Sequence, residues 1–348
     1  MAQTMDAATR RRTARVNASR EPRPADVLEA DEISATRPLV ARFWGVRGSH
    51  PVVAAGGSRV GVNTACVELR WGKQVIVLDA GSGIIPLGER LVHEWKAPDG
   101  PDHPAVAVLF THAHHDHICG LPFFAPLYAP QARVQLFGPD LAGMRFSEIV
   151  GGYMRSPYFP VDFADLPPGR SARSVTDGMR LIWRPGAREP LVRRQDTTAP
   201  RGALVIDVLH GEAHPRNGVL VYRVSAGGRS LAFATDLEMD TPNSAFERRF
   251  VRFVEGADVL IHDAQYTPAD YDGPHPHRGY GHSTPAMACR VAAAAHAREL
   301  VLFHADPGYG DRDVESLESS ARGIFAPACI AREGMEIWLD GGGVRHVV

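Results

Sequence analysis

Ala105-Val106-Ala107-Val108-Leu109-Phe110-Thr111-His112-Ala113-His114-His115-Asp116-His117 is the stretch whose reading decides the fold. Its first six residues form an uninterrupted apolar run, the pattern of a strand covered on both faces. That strand runs straight into four histidines and an aspartate within six positions. Imidazole nitrogen and carboxylate oxygen together suit a borderline divalent metal such as zinc. Several such donors converge only where a tight loop turns them to one side, and Gly120 permits a sharp exit. A solvated histidine-rich loop is the bland alternative, but such loops rarely sit behind a buried strand.

Outward from this run, periodicity sets the class. Residues 40–47 read as a strand entering a glycine turn, and 66–71 with 75–78 as a hairpin closed by Gly72-Lys73. Residues 84–95 carry helical spacing at Ile85, Leu87, Leu91 and Val92. Strand and helix signals alternate through 134–137 and 146–154. Further strands are predicted at 181–183, 204–209, 219–224, 230–234, 259–261, 300–303 and 336–339, with helices near 284–297 and 316–324. This order suits an α/β layered sandwich, two sheets inside and helices outside. No short-period repeat is present. The stretch 155–201, rich in Pro, Arg and Asp, reads as an elaborated surface segment.

Composition narrows the partners. The chain has 348 residues, 44% hydrophobic and 22% charged, with a formal net charge of -2. A sizeable core is available at this length. No basic excess marks a general nucleic-acid binder. Cys66, Cys119, Cys289 and Cys329 are scattered, as expected of reduced thiols in a cytosolic protein. Arg10-Arg11-Arg12-Thr13-Ala14-Arg15 is followed by no apolar segment, so it does not read as an export signal. No apolar run approaches the roughly 20 residues that span a bilayer. The expectation is a cytoplasmic protein without a membrane partner. Residues 1–37 are expected to be a disordered or loosely attached extension, with a basic arm for a partner as the alternative. Residues 38–348 are expected to be one domain.

The pattern H-x-H-x-D-H after an apolar strand resembles the signature of the metallo-β-lactamase superfamily, matched here by His112, His114, Asp116 and His117. The resemblance extends over about residues 39–348 and implies a four-layer αβ/βα sandwich with metals at one edge. Asp79, in Leu78-Asp79-Ala80-Gly81-Ser82-Gly83, looks like the carboxylate that braces the metal loop. His214, Asp236 and His304 look like the remaining ligands. The resemblance then implies two divalent ions, Zn2+ in the first place with Mn2+ as the alternative. One would be held by His112, His114 and His214, the other by Asp116, His117 and His304, with Asp236 and a hydroxide bridging them. His115 is not a ligand in this pattern and is expected to point outward. Such an inner shell carries surplus positive charge, which favours an anionic substrate.

Branch follows from detail. Zinc β-lactamases place Cys where this chain has Asp236, and the di-iron branch places Glu where it has His114. Hydrolysis of another kind remains. Gly281-His282-Ser283-Thr284 resembles the histidine-serine-threonine motif of tRNase Z and related phosphodiesterases, and 260–264, with Asp263, resembles the motif before it. By that resemblance His282 and Asp116 are catalytic: His282 as acid or transition-state donor, Asp116 as orienter of the nucleophile. His282 also reads as the start of a helix capped by Ser283 or Thr284. Residues 42–49, with Asn63-Thr64-Ala65-Cys66, resemble the phosphoribosyl cyclic phosphodiesterases and class II cyclic-nucleotide phosphodiesterases. Arg47 and His50 are candidate substrate contacts, each with a structural alternative: a surface ion pair or a turn cap. Tyr158 is a candidate to stack a base or sugar at the mouth, with core packing as its alternative.

The tRNase Z family carries a long RNA-binding arm between its third and fourth motifs. Here only 215–235 separates His214 from Asp236, room for little more than a hairpin. The expected substrate is therefore a small cyclic phosphodiester or cyclic nucleotide, with nucleic acid less favoured. A tRNase Z-like 3′ endonuclease, a lactonase or thioesterase, and a non-catalytic metal-binding sensor are the alternatives. A homodimer is left open.

Overall fold

The computed structural model describes residues 37–54 and 57–347. The expected N-terminal extension lies outside the described residues, apart from Arg37. Two eight-stranded sheets stack face to face. The first runs β16 (Gly343–Val347), β15 (Glu336–Asp340), β1 (Leu39–Gly45), β2 (Cys66–Trp71), β3 (Gln74–Leu78), β4 (Ala105–Leu109), β5 (Arg133–Gly138), β6 (Arg170–Ser174). The second runs β14 (Ala328–Ile330), β13 (Glu299–Phe303), β12 (Val259–Asp263), β11 (Arg229–Ala234), β10 (Val219–Ala226), β9 (Leu204–Gly211), β7 (Met179–Trp183), β8 (Leu191–Arg194). Each sheet is half antiparallel and half parallel. The parallel halves are β3–β6 and β11–β14.

Strand β4 shows why the sequence builds this sandwich. Ala107 and Leu109 join the core between the sheets, whereas Val106 and Val108 join the core under helix α1 (Ile84–Trp95). With both faces covered, every position must be apolar. Helix α1 buries Ile84, Leu87 and Leu91 on one stripe. The other helices are α2 (His115–Ile118), α3 (Phe146–Tyr153), α4 (Ala245–Val254), α5 (Pro268–Asp272), α6 (Pro285–Ala294) and α7 (Asp311–Ile324). Among the described residues, no helix is long and apolar enough to cross a membrane.

Two expectations change. The 155–201 stretch is not merely a surface elaboration, because it supplies β6 to the first sheet and β7 and β8 to the second. Strand β6 is Arg-Ser-Ala-Arg-Ser on a sheet edge, where polar residues blunt further pairing and erase the apolar signal. Helix α4 was not predicted. Its signal is a capping pattern, with Ser244 accepting from the Glu247 backbone N–H at 3.0 Å.

Candidate active site

The carboxyl ends of the parallel strands in both sheets meet at one edge of the sandwich. Asp79 follows β3, the histidine run follows β4, Asp236 follows β11, Asp263 ends β12 and His304 follows β13. Asp79, Asp236 and His304 have φ of 61°, 55° and 68°. This left-handed backbone is unfavourable for residues other than glycine and persists where surrounding contacts demand it. It occurs at the positions where the chain leaves a strand and faces a side chain across the edge.

The structure brings His112, His114, Asp116, His117, His214, Asp236 and His304 together. Ligand-capable atoms of His112, His114 and His214 lie within 4.8 Å of one another, as do those of Asp116, His117 and His304. Asp236 stands between the two groups. Its Oδ2 is 3.7 Å from His112 Nε2, and its Oδ1 is 3.2 Å from His117 Nε2 and 3.4 Å from His304 Nε2. His114 Nδ1 and His214 Nε2 are 3.1 Å apart, and Asp116 Oδ2 is 3.0 Å from His304 Nε2.

The outward nitrogens settle which atoms face inward. His117 Nδ1 donates to Asp79 Oδ2 at 2.8 Å, His304 Nδ1 to Gln265 Oε1 at 3.0 Å, and His214 Nδ1 to the Gly281 carbonyl at 3.2 Å. His112 Nδ1 lies 3.0 Å from Thr111 Oγ1, whose own proton goes to Asp79. Each Nε2 is thereby left with its lone pair toward the centre. His112 Nε2 is buried and has no hydrogen-bond partner. A buried nitrogen with nothing to bind is costly, and a metal at this point removes that cost. The donor set of five imidazoles and two carboxylates therefore fits a pair of divalent ions.

Electrostatics agree. Burial pushes the imidazoles of His112, His114 and His214 below their ordinary value, so they stay neutral and able to coordinate. His117 differs: burial would lower it, but Asp236, Asp116 and Asp79 outweigh that and hold it well above its ordinary value, so its Nε2 would release a proton on binding an ion. Burial would raise Asp116 and Asp236. The histidines opposite, chiefly His117 for Asp116 and His304 for Asp236, hold both well below the carboxylate range.

His282 adjoins this cluster, with a ligand-capable atom within 4.8 Å of those of His214 and Asp236. Its Nδ1 donates to Asp263 Oδ2 at 2.7 Å, and its ring stacks on His304 with centroids 5.1 Å apart. Burial would lower its pKa, but the Asp263 carboxylate raises it to about 9. Asp263 also accepts from the backbone N–H groups of Asp236, Gln265 and Ser283. The expected hydroxyl cap is absent: Thr284 is at the N-cap of α6 without a side-chain bond. Ser283 Oγ instead donates to the Leu237 carbonyl at 2.5 Å, because holding the Asp236 turn satisfies it internally.

Other predicted residues lie further out. Arg47 is buried, and its guanidinium donates to the carbonyls of Gly61, Asp306 and Tyr309. It donates to Ser58 Oγ as well, so most of its N–H groups clamp neighbouring loops. His50 is exposed and bonds Pro51 O, while the adjacent Ser49 backbone N–H donates to Asp116 Oδ2 at 2.7 Å. Asn63 accepts from Ser82 Oγ. Tyr158 is 81% exposed, so core packing does not hold it. His115 is exposed and touches Tyr153. Sequence reasoning missed Gln265, Ser49 and Thr111. Gly48 explains part of this tightness: a Cβ there would stand 2.5 Å from His304 Nδ1. A cavity of about 630 Å3, lined by His214, Arg216, Asn217, Glu238 and Gly279 among others, opens beside His214.

Known proteins place this geometry. The model of the "Beta-lactamase superfamily domain" matches residues 74–305. A protein named Ribonuclease Z from Gemmatimonas aurantiaca is 27% identical over 330 residues, covering 87% of this chain and 96% of that one. Among solved structures, yeast PDE1 superposes with a TM-score of 0.58 at 14% identity, covering 86% of this chain and 99% of its own. The short form of human tRNase Z superposes with a TM-score of 0.55 at 18% identity, covering 86% and 98%. At these identities the solved structures speak to the fold.

Proposed function

The chain belongs to the beta-lactamase superfamily and is a metal-dependent hydrolase, and on that footing we propose that its substrates are small phosphodiesters, cyclic ones first among them. The observation that carries this reading is the His282–Asp263 pair beside a seven-ligand site. His112, His114 and His214 would hold one ion, Asp116, His117 and His304 the other, with Asp236 shared. Zinc suits these donors best, and manganese is compatible. Two divalent ions against two carboxylates leave a positive surplus, which selects an anion.

When bound, the two ions supply Lewis acidity toward water and toward phosphate oxygens. The protein's own groups do the rest. Asp116, fixed by the Ser49 backbone N–H, orients the attacking water. Asp263 locks the imidazole of His282 so that Nε2–H points away from it. That proton stabilises charge on the phosphoryl group and passes to the leaving oxygen. The His214–Asp236 connection supports a small substrate. It is the β10–β11 hairpin, turned by Gly227-Gly228 with φ of 56° and 74°, and no arm projects from it.

A second reading, processing of RNA 3′ ends, is favoured by the relatives named Ribonuclease Z. A screen of the metal-reconstituted protein separates the readings. Its substrates are cyclic nucleotides, ribose cyclic phosphate, a tRNA precursor and a lactone. Turnover of small cyclic diesters is expected, with His282→Ala keeping both metals and losing about 10²–10⁴-fold in kcat. Selective cleavage of the tRNA precursor would establish the second reading instead. Hydrolysis of the lactone alone would remove both.

A further inference from the structure

Beyond the metal cluster, the segment between Asp263 and His282 builds a chain of aromatic rings. Tyr266 meets His282 edge-on at 5.8 Å between centroids. His277 stacks on Tyr266 at 4.5 Å and 24°. Tyr280 meets His277 edge-on at 5.2 Å. The chain thus leads from the imidazole beside the metal ligands to a tyrosine that is 59% exposed.

The backbone that carries this tyrosine is pinned on both sides. Gly279 and Gly281 flank it with φ of 85° and 93°. Both backbone N–H groups donate to Glu238, at 2.7 and 2.9 Å, and Tyr271 Oη donates to the same carboxylate at 2.5 Å. A Cβ at Gly281 would stand 2.4 Å from His214 Nδ1, so the loop is pressed against a metal-ligand candidate. His277 is anchored by its Nδ1 bond to the Asp270 carbonyl at 2.8 Å. Gly279, the residue before Tyr280, lines the cavity that opens beside His214.

We propose that Tyr280 is a platform on which a nucleobase of the substrate stacks, which makes the substrate class nucleotide diesters and not base-free sugar phosphates. The proposal rests on the phosphodiesterase reading above and narrows it. An exposed ring on pinned backbone loses little conformational freedom when a base settles on it, and every base offers a π-face. The base would be supplied by a free cyclic nucleotide or by an RNA end.

The test uses the full metal-loaded chain with Tyr280→Ala and Tyr280→Trp. Substrates are thymidine 5′-(p-nitrophenyl phosphate), an adenosine cyclic phosphate, a short RNA, and base-free methyl p-nitrophenyl phosphate. Tyr280→Ala is expected to raise KM about ten-fold for base-bearing diesters and to leave kcat and the base-free diester unchanged, with Tyr280→Trp restoring KM. An effect confined to the RNA assigns the base to nucleic acid; an effect on the cyclic nucleotide assigns it to a free nucleotide. Equal changes on base-bearing and base-free substrates overturn the platform. Binding of AMP against ribose 5-phosphate, measured by calorimetry, is read independently of turnover. A base preference lost in Tyr280→Ala upholds the platform even if no diester is hydrolysed, in which case only the phosphodiesterase reading fails. No preference for AMP overturns the platform.

Discussion

Asp79 and Asp263 occupy matching places in the two sheets. Each lies at the end of a parallel strand and accepts from the Nδ1 of a histidine, His117 in one case and His282 in the other. The first histidine faces two carboxylates and can coordinate; the second is buried against His304 and His214 with a proton to give. Because Asp263 raises the pKa of His282, replacing it by Asn lowers that pKa. His282 must be protonated to donate, so the alkaline limb of the kcat profile of Asp263→Asn is expected to move to lower pH. An unmoved limb in a pH–rate comparison with the native protein would remove the donor role. Much of this centre is legible in the sequence, because coordination demands His and Asp at strand ends. Gln265 and the Ser49 N–H were not, since an amide or a backbone N–H acts here through geometry alone. Arg47 misleads for the opposite reason: a cation beside a glycine turn suggests phosphate, while the fold directs it at carbonyls.

At the scale of elements, β10 ties the sheets together at the root of the histidine run. Tyr222 Oη donates to the Phe110 carbonyl at 2.5 Å, and the Leu220 N–H donates to the Thr111 carbonyl at 2.8 Å. Tyr222→Phe removes the first bond and leaves a buried carbonyl unpaired, a cost of about 1–3 kcal/mol. Urea denaturation should show a lower midpoint, and metal affinity should weaken as the loop root loosens. No change in midpoint would mean that the bond carries no net stability. Strand periodicity revealed β4 and β10 because burial writes itself as apolar residues. It concealed β6, whose edge position selects for polar ones. Helix α4 was hidden by Arg248, Arg249 and Arg252, which dilute the apolar stripe of Phe250 and Val254.

For the whole molecule, the donors His112, His114, Asp116 and His117 come from the first sheet's side, and His214, Asp236 and His304 from the second's. Ions held there join the two halves. A ligand at 100 times its Kd stabilises by about 2.7 kcal/mol, and more as affinity rises. Chelation by EDTA is therefore expected to lower Tm by several degrees, reversed by zinc. Asp236→Ala, which removes the shared carboxylate, should abolish that response in differential scanning fluorimetry. An EDTA-insensitive native protein would show that the ions do not join the sheets.

The spread of the donors along the chain also orders events in time. During synthesis the histidine run emerges with β4, long before β13 brings His304. A chain synthesised only as far as this run offers four of the seven donors, and only docking of the late parallel strands completes the set. Tight metal uptake then comes at the end of folding, so its rate serves as a clock for the closing of the second half onto the first.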